Sequence, residues 1–122
     1  MDALLHGKQV LIVEDEVLIS MLLGDMLTDL GCQTILEAHD LETAVAVLDT
    51  RLPELCILDL RLNDVLSYPV AEMLTARGVP IIFSTGYGKD HIGGRWNHCL
   101  TLFKPYDVFQ LNDAIKSTFQ PM

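Results

Sequence analysis

Basic side chains are scarce in this sequence: 8 Lys and Arg stand against 17 Asp and Glu, a formal net charge of -9. A phosphate backbone or an anionic membrane rewards clustered Lys and Arg, so neither nucleic acid nor a membrane surface is an expected partner. Signals from this chain are expected to pass through protein. Cysteine is sparse as well. Cys32, Cys56 and Cys99 are odd in number and widely spaced, with no C-x-x-C, which argues against a zinc site or a disulfide framework and for a reducing, cytoplasmic setting. Long apolar runs are missing. The longest, Val17 to Leu23, is far too short to cross a bilayer, and Met1 to Gly7 has no cationic segment leading into an apolar one. A soluble chain that keeps its amino terminus is the expectation. There is no G-x-x-x-x-G-K-S/T, and Gly86-x-Gly88 has His91 where a dinucleotide loop needs its third glycine, so no nucleotide cofactor is expected. His6, His39, His91 and His98 show no ligand spacing and read as surface or loop residues.

What is present is organised around Leu55-Cys56-Ile57-Leu58-Asp59-Leu60. An apolar run of this length, preceded by Pro53 and followed by the polar stretch Arg61 to Asp64, predicts a strand buried on both faces. A carboxylate at its exit is costly unless water, metal or ligand reaches it at the sheet's carboxyl edge. Lys8 to Val13 is a second such run and delivers Glu14-Asp15-Glu16 at its exit. At 122 residues the chain is read as one domain, 1–122, burying roughly two-thirds of its unfolded surface.

The remaining pattern alternates. Val17 to Leu30 has helical period, with Leu18, Ile19, Leu22, Leu23, Met26, Leu27 and Leu30 on one half of the wheel, Ser20, Gly24, Thr28 and Asp29 on the other, and Gly31 as the stop. Gln33 to Ala38 predicts a more polar strand near an edge. Asp40 is a candidate N-cap for a helix carrying Ala44, Val45, Val47 and Leu48. A polar loop is expected after Asp59, then a helix from Ser67-Tyr68-Pro69 through Ala76, a fourth strand Pro80 to Phe83, and a short or mobile helix between Lys89 and His98. Gly93 and Gly94 weaken that helix by about 1 kcal/mol each. Cys99 to Phe103 predicts the fifth strand. Asp107 with Gln110 is a capping-box start for the last helix, whose Val108, Leu111, Ile115 and Phe119 face the sheet. Five strands alternating with helices predict an α/β fold with a doubly wound five-stranded parallel sheet. In the order 2-1-3-4-5, strands one and three are neighbours, and Glu14, Asp15 and Asp59 meet at one edge.

Carboxylates about 4 Å apart repel by roughly 1 kcal/mol per pair in water and nearer 4 kcal/mol at an effective dielectric of 20. A cation among them is therefore expected, and a hard divalent ion such as Mg²⁺ suits oxygen donors. Lys104 at the fifth strand's exit adds an ammonium, and Thr85 at the fourth strand's exit adds a hydroxyl beside Gly86. Such a set suits transfer of a phosphoryl group onto Asp59.

Val13-Glu14-Asp15-Glu16, Leu58-Asp59, Thr85-Gly86 and Lys104-Pro105, each at a strand end, resemble the receiver domain of two-component response regulators over about residues 8–118. Ser67-Tyr68-Pro69-Val70-Ala71 and Pro80 to Gly88 are similar to a subgroup of stand-alone bacterial receivers with a Phe-Ala-Thr-Gly signature after the fourth strand. The resemblance implies a flavodoxin-like receiver fold and a cytoplasmic single-domain response regulator that takes phosphate on Asp59 from a sensor histidine kinase or phosphotransfer protein. It implies Mg²⁺ bound by Asp15, Asp59 and the backbone carbonyl of Arg61, with Glu14 acting mainly through water, and Thr85 and Lys104 engaging the phosphoryl group. Such a chain is no conventional enzyme: it catalyses its own phosphorylation and slow dephosphorylation. As a monomer or weak dimer it then changes binding to a downstream protein or drains phosphate from a shared kinase.

One position departs from the receiver pattern. Thr101 stands three residues before the lysine, where most receivers carry an aromatic switch residue, and ordering of the segment Tyr87 to Trp96 is the expected substitute switch. The alternative from another class is a receiver-fold interaction module that binds its partner irrespective of phosphorylation. Its weakness is that a scaffold has no reason to keep repelling carboxylates. A flavin carrier is disfavoured by the acidic switch point.

Overall fold

A computed structural model describes residues 4–86, 94–96 and 98–120. The apolar runs form strands. β1 (Gln9–Val13), β2 (Thr34–Ala38) and β3 (Leu55–Asp59) are followed by a short ribbon of β4 (Arg61–Leu62) and β5 (Val65–Leu66), then β6 (Ile81–Thr85) and β7 (Leu100–Phe103). The α-helices are α1 (Val17–Asp29), α2 (Leu41–Thr50), α3 (Tyr68–Ala76) and α4 (Val108–Phe119). The main sheet has the order β2-β1-β3-β6-β7 and is parallel throughout, which is the doubly wound arrangement the alternation implied.

Period-two alternation splits the core into two layers. Leu11, Val13, Cys56, Leu58, Ile81 and Phe83 pack toward α2 and α3, while Val10, Ile12, Leu55, Ile57, Ile82 and Leu102 pack toward α1 and α4. Both faces of β1, β3 and β6 are covered, which is why these strands read as continuous apolar runs. Each fully buried Leu or Ile contributes roughly 1.5–3 kcal/mol, so the strand ends are held on a stiff frame. β2 lies at an edge, as its polar composition suggested. Asp40 caps α2 by accepting from the Thr43 N–H at 2.7 Å, and Asp107 and Gln110 form the reciprocal box that starts α4. Gly31, at φ +95°, takes the left-handed turn after α1.

Two expectations are corrected. Leu18 and Leu22 do not belong to the buried half of α1: they are 74% and 63% exposed, whereas Ser20 is buried and donates to Glu37 Oε1 at 2.6 Å. A helix lying on one side of a sheet buries only a narrow stripe, here centred on Leu23 and Leu27, and the seven apolar positions span a wider arc than that. The stretch after Asp59 is also no open loop. Asn63 (φ 51°) and Asp64 (φ 67°) make a two-residue turn between β4 and β5, the doubly left-handed turn whose twist suits a hairpin. Between Lys89 and His98 the structure describes a 3₁₀ turn at Gly94–Trp96. The rest of the Tyr87 to Trp96 segment lies outside the described residues. Among the described residues, no helix is long and apolar enough to cross a membrane.

Candidate functional site

The carboxyl ends of β1, β3, β6 and β7 converge on one cleft. Register pairs Val13 with Leu58, Asp59 with Ser84, and Thr85 with Phe103, so Glu14, Asp15, Asp59, Thr85 and Lys104 leave the sheet at the same level. Oxygen atoms of Glu14, Asp15 and Asp59 lie within 4.8 Å of one another. Lys104 reaches back over the strand ends, its Nζ 2.7 Å from Glu14 Oε1 and 3.0 Å from Asp59 Oδ2. Its own N–H donates to the Thr85 carbonyl at 2.8 Å, tying the exit of β7 to that of β6.

The cleft measures about 420 Å³ and is lined by Asp15, Glu16, Asp59, Arg61, Asn63, Asp64, Gly86 and Lys104. Asp59 is 5% exposed and presents the little it shows to this cleft. Glu14 lies behind it, buried and closed off by the lysine, while Asp15 stands at the rim. Arg61 is on the wall, and its N–H approaches Asp59 Oδ1 at 3.4 Å. Thr85 is completely buried, and Gly86 forms the wall at that strand.

Two contacts were not legible from the residue pattern. The Asn63 N–H donates to Asp15 Oδ2 at 3.1 Å, so the hairpin turn aims a backbone donor at the rim carboxylate. An Asn-Asp pair just beyond a strand signals the turn itself, though not the contact it makes. His39, read as a loop residue, bonds the Glu14 carbonyl through Nδ1 at 2.9 Å. A carbonyl only accepts, so Nδ1 carries the proton.

Burial raises the Glu14 carboxyl to about 7, partly offset by the hydrogen bonds from Lys104 and from the Glu16 N–H. Burial also tends to raise Asp15, but the Asn63 N–H and neighbouring hydrogen bonds outweigh it and leave that group below the usual aspartate value. Burial lowers the Lys104 ammonium less than Glu14 and Asp59 raise it, so it stays charged well above neutrality. At neutral pH one ammonium faces up to three carboxylates. Hard oxygen donors in negative excess, beside a cleft open to the surface, fit a divalent cation. A cation held there, together with Lys104, would offset negative charge added to Asp59.

Residues 10–116 match the response regulator receiver domain family model. The transcriptional regulatory protein PdtaR of Mycobacterium tuberculosis is 31% identical over 114 residues, 89% of this chain. Those residues are 55% of that protein, so the chain spans about half the length of the curated relatives it matches. SdrG from Sphingomonas melonis Fr1 is 35% identical with a TM-score of 0.82, covering 96% of this chain and 98% of that one. Its BeF₃-activated conformation aligns at a TM-score of 0.79 and 33% identity, over 98% and 99% of the two chains. The receiver domain of PhyR from Erythrobacter litoralis is 29% identical with a TM-score of 0.80, covering 90% and 88%.

Proposed function

The chain belongs to the response regulator receiver domain family, and from that premise we propose that Asp59 accepts a phosphoryl group from a histidine of a sensor kinase or phosphotransfer protein. The observation that carries this reading is the Lys104 ammonium held between Glu14 and Asp59 at the buried end of the acidic cleft. A purely structural ion pair needs one carboxylate; two on one lysine, with a third at the rim, is charge arranged for something that arrives.

An Asp59 carboxylate oxygen attacks phosphorus, an O–P bond forms, and the donor's N–P bond breaks with its electron pair returning to the imidazole nitrogen. Lys104, already at Asp59, pairs with the phosphoryl oxygens. Thr85 donates its hydroxyl once its side chain turns out of the core. Asp15, Asp59 and the backbone carbonyl of Arg61 would hold Mg²⁺, with Glu14 acting through water. When bound, the ion offsets charge on the phosphoryl oxygens.

The donor must bring an imidazole into the cleft, so it has to cover the rim beside Glu16. Next to that rim α1 exposes Val17, Leu18, Met21 and Leu22, an apolar patch suited to a helical partner. The readout is a changed contact with a downstream protein, or drainage of phosphate from the donor.

Incubation with Mg²⁺ and acetyl phosphate, followed on a phosphate-affinity gel, tests the proposal. A shifted band in wild type that is lost in Asp59→Asn supports it. Wild type that takes up no phosphate overturns it, and leaves a receiver-fold module that binds irrespective of phosphorylation.

A further inference from the structure

Thr85 is buried and the cleft wall is Gly86, so whatever Thr85 does on phosphorylation begins on the core side of the sheet. Side chains alternate along a strand, which puts Phe83 and Thr85 on the same face of β6. Phe83 belongs to an aromatic triad on that face. Its ring meets Trp96 edge-on, with centroids 6.1 Å apart and planes at 77°, and meets Tyr68 at 6.3 Å and 83°. Tyr68 and Trp96 lie flat on each other, 5.8 Å apart at 6°. On β7 the residue in register with Phe83 is Thr101, and among the described residues the rings packed on Phe83 come from α3 and the Gly94–Trp96 turn.

The triad is tied through the backbone to the residues on both sides of the acceptor. Tyr68 opens α3 directly after Ser67, whose N–H donates to the carbonyl of Leu60, the residue following Asp59. Phe83 pairs in register with Leu58, the residue preceding it. Trp96 is 5% exposed and rests on a turn held from outside by Arg95, whose guanidinium lies 4.8 Å over the indole and 2.7 Å from Glu72 of α3. That ion pair is solvent-exposed and weak by itself. The ring packing is the stronger hold.

Resting on the phosphoacceptor reading, we infer that Trp96 is the part that switches. Phosphoryl group on Asp59 draws Thr85 toward the cleft, the space beside Phe83 changes, and the indole shifts between Tyr68 and Phe83. The Gly94–Trp96 turn and its Arg95 are thereby re-placed at the surface. This couples the site to the outside without an aromatic on β7.

Trp96 is the sole tryptophan of the chain, so its fluorescence reads the switch directly. The full chain is loaded with Mg²⁺ and acetyl phosphate, and occupancy is measured on a phosphate-affinity gel from the same samples. Expected are a shifted emission maximum and acrylamide quenching raised about twofold, as a minor packing state becomes the major one. Asp59→Asn should show neither. Thr85→Ala, compared at equal occupancy, should keep the resting emission. Tyr68→Leu should be strongly quenched before any phosphate is added, and change little after. Wild type that gains phosphate with emission and quenching unchanged overturns the inference while leaving the phosphoacceptor reading intact. A full shift in loaded Thr85→Ala overturns the route through β6. Absence of phosphate from wild type overturns both readings and is seen on the gel alone.

Discussion

Lys104 is the residue on which the site's electrostatics turn. Removing one partner of a buried charge cluster leaves the others uncompensated, at a cost of about 3–5 kcal/mol. Lys104→Met is therefore expected to be markedly less stable to urea at pH 8 in EDTA, and to recover part of the loss when Mg²⁺ is added. Equal denaturation midpoints for wild type and variant would refute the shared-lysine account. Glu14 has the opposite sensitivity. Its carboxyl ionises near 4.5 when unfolded and at about 7 in the fold, so between those values the folded chain holds a proton that the unfolded chain has released. Its contribution to stability is full below 4.5 and lost as pH rises through 7. Metal-free wild type should lose stability across that window relative to Glu14→Gln, as read from paired urea titrations at pH 4.5 and 7.5. Parallel pH profiles would sink the assignment. Asp15 acts in the other direction and lower on the scale, because its depressed carboxyl contributes above the ordinary aspartate value and is lost on acidification.

Among the elements, the β4–β5 turn has the most to do with the site for its size. Asn63 and Asp64 both sit at positive φ and deliver an N–H to Asp15. Asp64→Gly should leave stability unchanged or raise it by about 0.5–1 kcal/mol, since glycine accepts that backbone freely. Asp64→Val should cost roughly 1–3 kcal/mol and weaken Mg²⁺ binding, both measurable by calorimetry. Val at no cost would mean the turn adopts another form in solution. This turn also marks where the sequence stopped being legible. Strands buried on both faces announced themselves, because Val10 to Val13 and Leu55 to Leu58 have no polar face to hide the signal. So did their carboxylates, since an acid at the end of such a run has one inexpensive place to be. The turn's role was silent because it acts through a main-chain N–H, which every residue other than proline possesses. α1 misled for a different reason. A helix whose apolar arc is wider than its contact stripe does not say which of those residues face the sheet: Leu18 and Leu22 stay exposed, and Ser20 is buried with its hydroxyl on Glu37 of β2.

For the molecule as a whole, a net charge of -9 with part of it concentrated at one sheet edge predicts a stability that depends on cation. A ligand that binds only the folded state stabilises by about 2.7 kcal/mol at a hundredfold excess over its Kd. Millimolar Mg²⁺ is expected to raise the Tm of wild type by several degrees, EDTA to reverse the change, and Asp15→Asn to abolish it. A Tm indifferent to Mg²⁺ would show that the three carboxylates do not form a metal site. The reach of Lys104 has one more consequence. It lies 90 positions after Glu14 and 45 after Asp59, so a nascent or proteolytically clipped chain that stops short of β7 has its acids and lacks their counter-charge. The balance of charge at this sheet edge is thus a long-range property, present only once β7 has been laid beside β6.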